Sequence, residues 1–156
     1  MERPIQEFIM DVGSKRGYPA SALSNFSPHP FEIDGVYCAS MEGFLQSTKF
    51  KNPDMQAEVC KLVGFAAKKR GSKKNWQRNQ ILHWNGVDIP RKSDEYQELL
   101  DRAYQAMFDH NESFRKALKA SGEANLTHSM GRSNPRETVL TEREFCRRLM
   151  QLRAKL

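Results

Sequence analysis

Cysteine is scarce in this sequence, with three among 156 residues. Cys38, Cys60 and Cys146 are odd in number, far apart and never in a C-x-x-C pair, which argues against a disulfide framework or a cysteine zinc site. Thiols of a reducing compartment are the expectation. No apolar run approaches the roughly 20 residues of a membrane span. The opening Met-Glu-Arg-Pro lacks the basic-then-apolar pattern of a signal peptide, so a cytoplasmic protein with no membrane partner is expected. Glycine-rich phosphate cradles are missing too, since "GSKRG" and "GSKKN" are too short and lack the strand-and-helix context. His29, His83, His110 and His128 show no metal-ligand spacing and no i, i+4 pair, so no metal is expected. No internal repeat or low-complexity tract appears.

What is present suffices for one domain over 1–156. Hydrophobic residues make up 38% of the chain, with nine Phe and seven Met, and charged residues 28%, ordinary proportions for a globular core and its surface. Lys and Arg number 25 against 19 Asp and Glu, a net charge of +6, with a pI near 9.3. Such an excess favours phosphate-bearing partners, nucleotides or nucleic acid, and is equally the mark of a merely soluble basic surface.

The local patterns alternate short strands with helices. Residues 4–12, "PIQEFIMDV", read as a short strand carrying Ile5, Phe8, Ile9 and Met10. Asp34-Gly35 divides two short arms over 31–38 and predicts a β-hairpin with a primed turn; Asn85-Gly86 predicts a second within "ILHWNGVDIP". Ser40 is placed to cap a helix whose Met41, Phe44, Leu45 and Thr48 form a buried stripe. At 100° per residue the same helix puts Glu42, Gln46 and Lys49 on one face, a quarter turn from that stripe. A single long helix is expected from Asp54 to Arg70, with Met55, Val59, Leu62, Val63, Ala66 and Ala67 inward, cations in its last turn and Gly71 just beyond. Ser93 caps a further helix to about 109, "NESFRKALKASG" makes a short one ending at Gly122, and Thr141 with Glu144 has capping-box spacing for a last helix. The expected fold class is α+β: a helix-rich single domain with a few short strands and hairpins.

Three groups of residues are candidates for chemistry, each with a plain structural alternative. The stretch "KKRGSKKNWQR", 68–78, puts five cations before Trp76 and Arg78. Cations such as Arg70 beside an aromatic suit a phosphate and a stacked base, whereas in a structural role they would answer the helix dipole and Trp76 would be core. Glu42, partly desolvated and held by Gln46 or Lys49, has the makings of a base that activates water or of a carboxylate that steadies an oxocarbenium ion; most lone helical glutamates are solvated charges. Ser24 and Asn25 suit a ribose or base edge, and Ser-Asn before an aromatic is also ordinary turn chemistry.

The stretch "LSNFSPHPFEIDGVYCASMEGFLQSTKF", 23–50, resembles the opening block of the NADAR superfamily, whose name refers to NAD and ADP-ribose. There, Ser-Asn-Phe, Pro-Phe, a Gly-x-x-Tyr-like hairpin, Ser-x-Glu and Gln-x-x-Lys-Phe follow in this order. Asn75-Trp76 is similar to the pair closing the family's basic stretch, and "MFDHNESFRKALKASGEANL" to its helix, polar break and short helix. The resemblance implies hydrolysis of an N-glycosidic bond on a phosphorylated ribose, with no cofactor. The substrate would be ADP-ribose on guanine bases of nucleic acid, or an aminopyrimidine ribosyl phosphate metabolite of the riboflavin pathway; a module that binds ADP-ribose without turnover is a third expectation. By its place in Ser-x-Glu, Glu42 matches the family's catalytic carboxylate. Lys15 is the nearest candidate for a lysine that engages the opened ribose, and Ser24, Asn25 and Phe26 fall in the substrate-binding block. Two departures stand out. The family's His after the glutamate is Gly43 here, and its later Asp-x-x-Trp-Gly ending has no match in "THSMGRSNPRETVLTEREF", where His128, Arg132, Asn134 or Glu137 would have to stand in.

Overall fold

A computed structural model describes residues 8–156. Ile5 and the first part of the strand expected over 4–12 lie outside the described residues; within them the strand is β1, Ile9–Asp11. It pairs in parallel with a strand the sequence reading missed, β6, Asn125–Thr127, in the register Ile9↔Asn125 to Asp11↔Thr127. A parallel pair needs a crossover, and here nearly the whole chain forms it. Asp11 locks the junction, its carboxylate accepting from the Ser129 amide at 2.7 Å and the Thr127 hydroxyl at 3.1 Å.

Both expected hairpins are present. β2 (Phe31–Ile33) and β3 (Val36–Cys38) turn at Asp34 (φ 51°) and Gly35 (φ 79°). β4 (Ile81–Trp84) and β5 (Val87–Pro90) turn at Asn85 (φ 49°) and Gly86 (φ 84°). Two successive positive φ angles are the primed turn that matches strand twist. Asp34 also ties the hairpins together by accepting from Trp84 Nε1 and from Arg102, both at 2.8 Å.

Helix α1, Met41–Ser47, is the centre of the molecule. Ser40 caps it, Oγ accepting from the Gly43 amide at 3.1 Å, and Met41, Phe44, Leu45 and Thr48 are buried as their spacing requires. Phe44 stands edge-on to Trp84 and Phe31 within one continuous core.

The long helix expected over 54–70 is two helices, α2, Pro53–Cys60, capped by Asn52, and α3, Gly64–Ser72. Close approach to α1 explains the break. A Cβ at Gly43 would lie 2.6 Å from the Leu62 carbonyl oxygen and 3.0 Å from that of Cys60, so the end of α2 presses directly on the α1 backbone. The chain then reverses through Gly64 (φ 58°), and α3 also packs on α1. Of the expected inward residues Val59 and Ala67 are buried, whereas Met55 and Ala66 face solvent.

Helices α4 (Asp94–His110), α5 (Glu112–Ala120) and α6 (Glu142–Arg153) complete the α+β fold. Ser93 caps α4, and both bonds of the Thr141–Glu144 capping box are made. Among the described residues no helix is long and apolar enough to cross a membrane.

Candidate active site

Glu42, in the first turn of α1, is held at its backbone and at its carboxylate. Its backbone amide donates to the Asn25 carbonyl at 3.0 Å. One turn on, Gln46 Nε2 donates to Glu42 Oε1 at 2.8 Å, as the i, i+4 spacing predicts. The residue keeps partial exposure while its carboxylate is densely surrounded; desolvation raises its pKa, opposed by the Gln46 hydrogen bond and by Lys49, Lys68 and His128. Lys49 is lowered in turn by desolvation and by Lys68, while Glu42 works to raise it. A carboxylate inclined toward protonation and an ammonium inclined away from it stand together, the pattern of groups tuned for proton transfer.

The surrounding shell is hydrogen-bonded and closely packed. Asn25 Oδ1 accepts from the hydroxyl of buried Tyr104 at 2.8 Å, which leaves the Asn25 amide NH2 as the donor at this edge. Among the described residues Gln46 Oε1 is buried without a partner, and a Cβ at Gly71 would lie 1.8 Å from it, so the absence of a side chain at 71 is what admits the Gln46 amide. His128 follows β6, its Nδ1 2.7 Å from the Val12 carbonyl. A carbonyl only accepts, so Nδ1 carries the proton and Nε2 is left for other chemistry. The β1–β6 pair thus brings the end of the chain to the glutamate near its start.

The remaining expected site residues divide. Ser24 Oγ accepts from the Phe26 amide at 3.2 Å, the turn chemistry that was its structural alternative. Phe26 is half-buried, its ring against Gly64. Lys15 is exposed in the loop after β1 and is not among the groups that act most on Glu42. Arg70 lies with its guanidinium 2.7 Å from Met55 Sδ and over the Phe50 ring. Trp76 requires correction as a stacking wall: it is 4% exposed and part of the core, because its three-residue 3-10 turn leads directly into β4 and carries the indole inward. Arg132, Asn134 and Glu137 are exposed in the loop before α6; of the four proposed stand-ins, His128 alone is among the groups acting on Glu42. Lys68 and Tyr104 were missed. Lys68 was one cation in a run, and Tyr104 is a buried residue of α4 that no neighbouring motif marks. At position 43 the family's histidine has no room, given the 2.6 Å approach to Leu62.

A family model for bacteriophage protein GP30.3, a NADAR-family domain, matches residues 17–154. The chain belongs to the NADAR superfamily. A curated relative, the uncharacterized 17.1 kDa protein in the Gp30-rIII intergenic region of Enterobacteria phage T4, is 38% identical over 149 residues, spanning 94% of this chain and 98% of the relative. The NMR structure of the E. coli protein YbiA shares the fold at a TM-score of 0.63 and 19% identity, covering 97% of this chain and 86% of YbiA. The NADAR family is associated with glycosidase activity.

Proposed function

We propose that this NADAR protein hydrolyses the N-glycosidic bond of a phosphorylated ribose, and that its substrate is ADP-ribose joined to guanine in nucleic acid. The observation that carries the reading is the setting of Glu42: a desolvated carboxylate fixed by Gln46, on which the charges of Lys49, Lys68 and His128 act. In the reaction the bond from the ribose anomeric carbon to the base nitrogen breaks and its electron pair leaves with the base. Positive charge grows on the sugar, where the ionised carboxylate stabilises it. Water then adds its oxygen to the anomeric carbon and gives up a proton, which Glu42 accepts and passes to the nitrogen of the departed base, so that the carboxylate is ionised again. Lys49 and Lys68 orient the phosphates, and the Asn25 amide supplies a donor to the ribose.

Nucleic acid is favoured over a small ribosyl phosphate by the cations beyond those the site needs. Lys69, Lys73 and Lys74 are exposed at the end of α3, the helix that also carries Lys68. Many weak phosphate contacts suit a polyanion. A second reading, nucleotide binding without turnover, is favoured by Gly43: the family's histidine is absent, and the charged groups acting most on Glu42 include no second carboxylate to serve as acid.

The test follows products by mass spectrometry when the protein meets guanine-ADP-ribosylated DNA and, separately, an aminopyrimidine ribosyl phosphate. Wild type is expected to release ADP-ribose from the DNA, and Glu42→Gln to release none while keeping its circular dichroism. A fully active Glu42→Gln sinks the mechanism. Cleavage of the pyrimidine alone moves the substrate to metabolites, and binding of ADP-ribose without cleavage of either substrate makes the second reading the correct one.

A further inference from the structure

The burial of Trp76 leaves the proposed reaction without an aromatic wall for the departing base. Stacking a base requires an aromatic face open to solvent, near the reacting carbon and near cations that hold the phosphates. Phe65 offers an open aromatic face on the helix that carries Lys68. It is 71% exposed although phenylalanine usually belongs in a core, and it occupies the first turn of α3. Three residues on, Lys68 is its neighbour on the same helix face, and Lys68 acts on both Glu42 and Lys49. The residue before it, Gly64, lies against the Phe26 ring: a Cβ there would be 3.7 Å from Phe26 Cδ2. Phe26 directly follows Asn25, whose carbonyl holds the Glu42 amide. Phe65 is therefore tied to Glu42 along two routes, through Lys68 on its own helix and through Phe26 on the facing loop.

The geometry points to a base-stacking subsite formed by Phe65, at the start of the helix whose Gly64 meets the Phe26 ring, and edged by Lys68, that takes the aromatic nucleobase of the substrate. Single exposed apolar residues are common on protein surfaces and carry no meaning alone; here the same helix face also carries a lysine whose charge acts on the carboxylate. The break between α2 and α3 is what makes the subsite. A continuous helix over 54–70 would not have placed the positive-φ turn at Gly64 against the Asn25–Phe26 loop.

The inference rests on the glycosidase reading for the identity of the ligand, and its test is made by binding alone. Guanosine monophosphate and ribose 5-phosphate, which share a phosphoribose and differ in the base, are titrated by calorimetry into wild type, Phe65→Ala and Phe65→Tyr. Wild type is expected to bind guanosine monophosphate more tightly. Phe65→Ala should lose about fivefold or more of that affinity, the loss that one stacked base accounts for, with ribose 5-phosphate binding unchanged, and Phe65→Tyr should recover most of it. Equal affinity of wild type for the two ligands overturns the subsite, as does a Phe65→Ala loss that is the same for both or absent. A base-dependent loss at Phe65 together with an inactive wild type retains the subsite and rejects the glycosidase; turnover without any effect at Phe65 does the reverse.

Discussion

Glu42 bears opposite demands from folding and chemistry. Desolvation raises its pKa above the ordinary 4.5, so the folded protein holds that proton more readily than the unfolded chain. The stabilising contribution is complete below the unfolded value and is lost as pH rises through the folded one, because the carboxylate must then ionise in place. Lys49, Lys68 and His128 limit the loss and leave the ionised form available to a developing sugar cation. Glu42→Gln removes the titration and keeps the shape. Its melting temperature is expected to gain on that of wild type as pH is raised from about 4 to 8, the reverse of what a glutamate held in a salt bridge would do. A constant difference across that range would mean that the carboxylate is solvated and untuned. The i, i+4 geometry of Glu42 and Gln46 was readable in the sequence because a helix fixes it. The unpartnered Gln46 Oε1 and its fit to Gly71 were not, since α3 supplies that surface from 25 residues further on.

Elements were legible where local chemistry specifies them. Asp34-Gly35 and Asn85-Gly86 demand positive φ and obtained it; Ser40, Ser93 and Thr141 cap the helices they precede. Elements failed where tertiary contact decides. The apolar stripe from Met55 to Ala67 has helical period throughout, yet the helix breaks after Cys60 because α1 and α2 meet backbone to backbone at Gly43. β1 and β6, three residues each, exist only by virtue of each other, so neither carries much signal alone. The Gly43 contact has a measurable consequence. Gly43→Ala should lower stability by roughly 1–3 kcal/mol in urea denaturation, the usual range for forcing atoms into a packed site, and should add no activity. A neutral or stabilising substitution there would show that α2 can withdraw, and that position 43 has room for the family's histidine after all.

Across the whole molecule, the β1–β6 pair and α6 hold the site from outside. Val12 reaches His128 because Asp11 and Thr127 are paired strand to strand. α6 is fastened to the same body by Glu144, whose carboxylate accepts both arms of the buried Arg91 guanidinium at 2.6 and 3.1 Å and a third bond from Gln97 at 2.6 Å. Burial works to raise the Glu144 pKa, but the Arg91 fork, the Thr141 amide and Gln97 outweigh it and hold the group down at about 2. Here the sign is opposite to that of Glu42: the stabilisation is present above the ordinary 4.5 and is lost as pH falls through about 2. At a decade of equilibrium constant per pH unit the contribution at neutral pH is on the order of 3 kcal/mol. Glu144→Gln keeps the volume but leaves Arg91, 1% exposed, without its counter-charge, and the loss should reach about 3–5 kcal/mol. Wild type should therefore weaken steeply in acid and the variant far less, so that their urea midpoints converge as pH falls from 5 toward 2. If the difference in midpoints is unchanged over that span, the Arg91–Glu144 fork is not what joins α6 to the fold, and the hold on His128 must come from the β1–β6 pair alone.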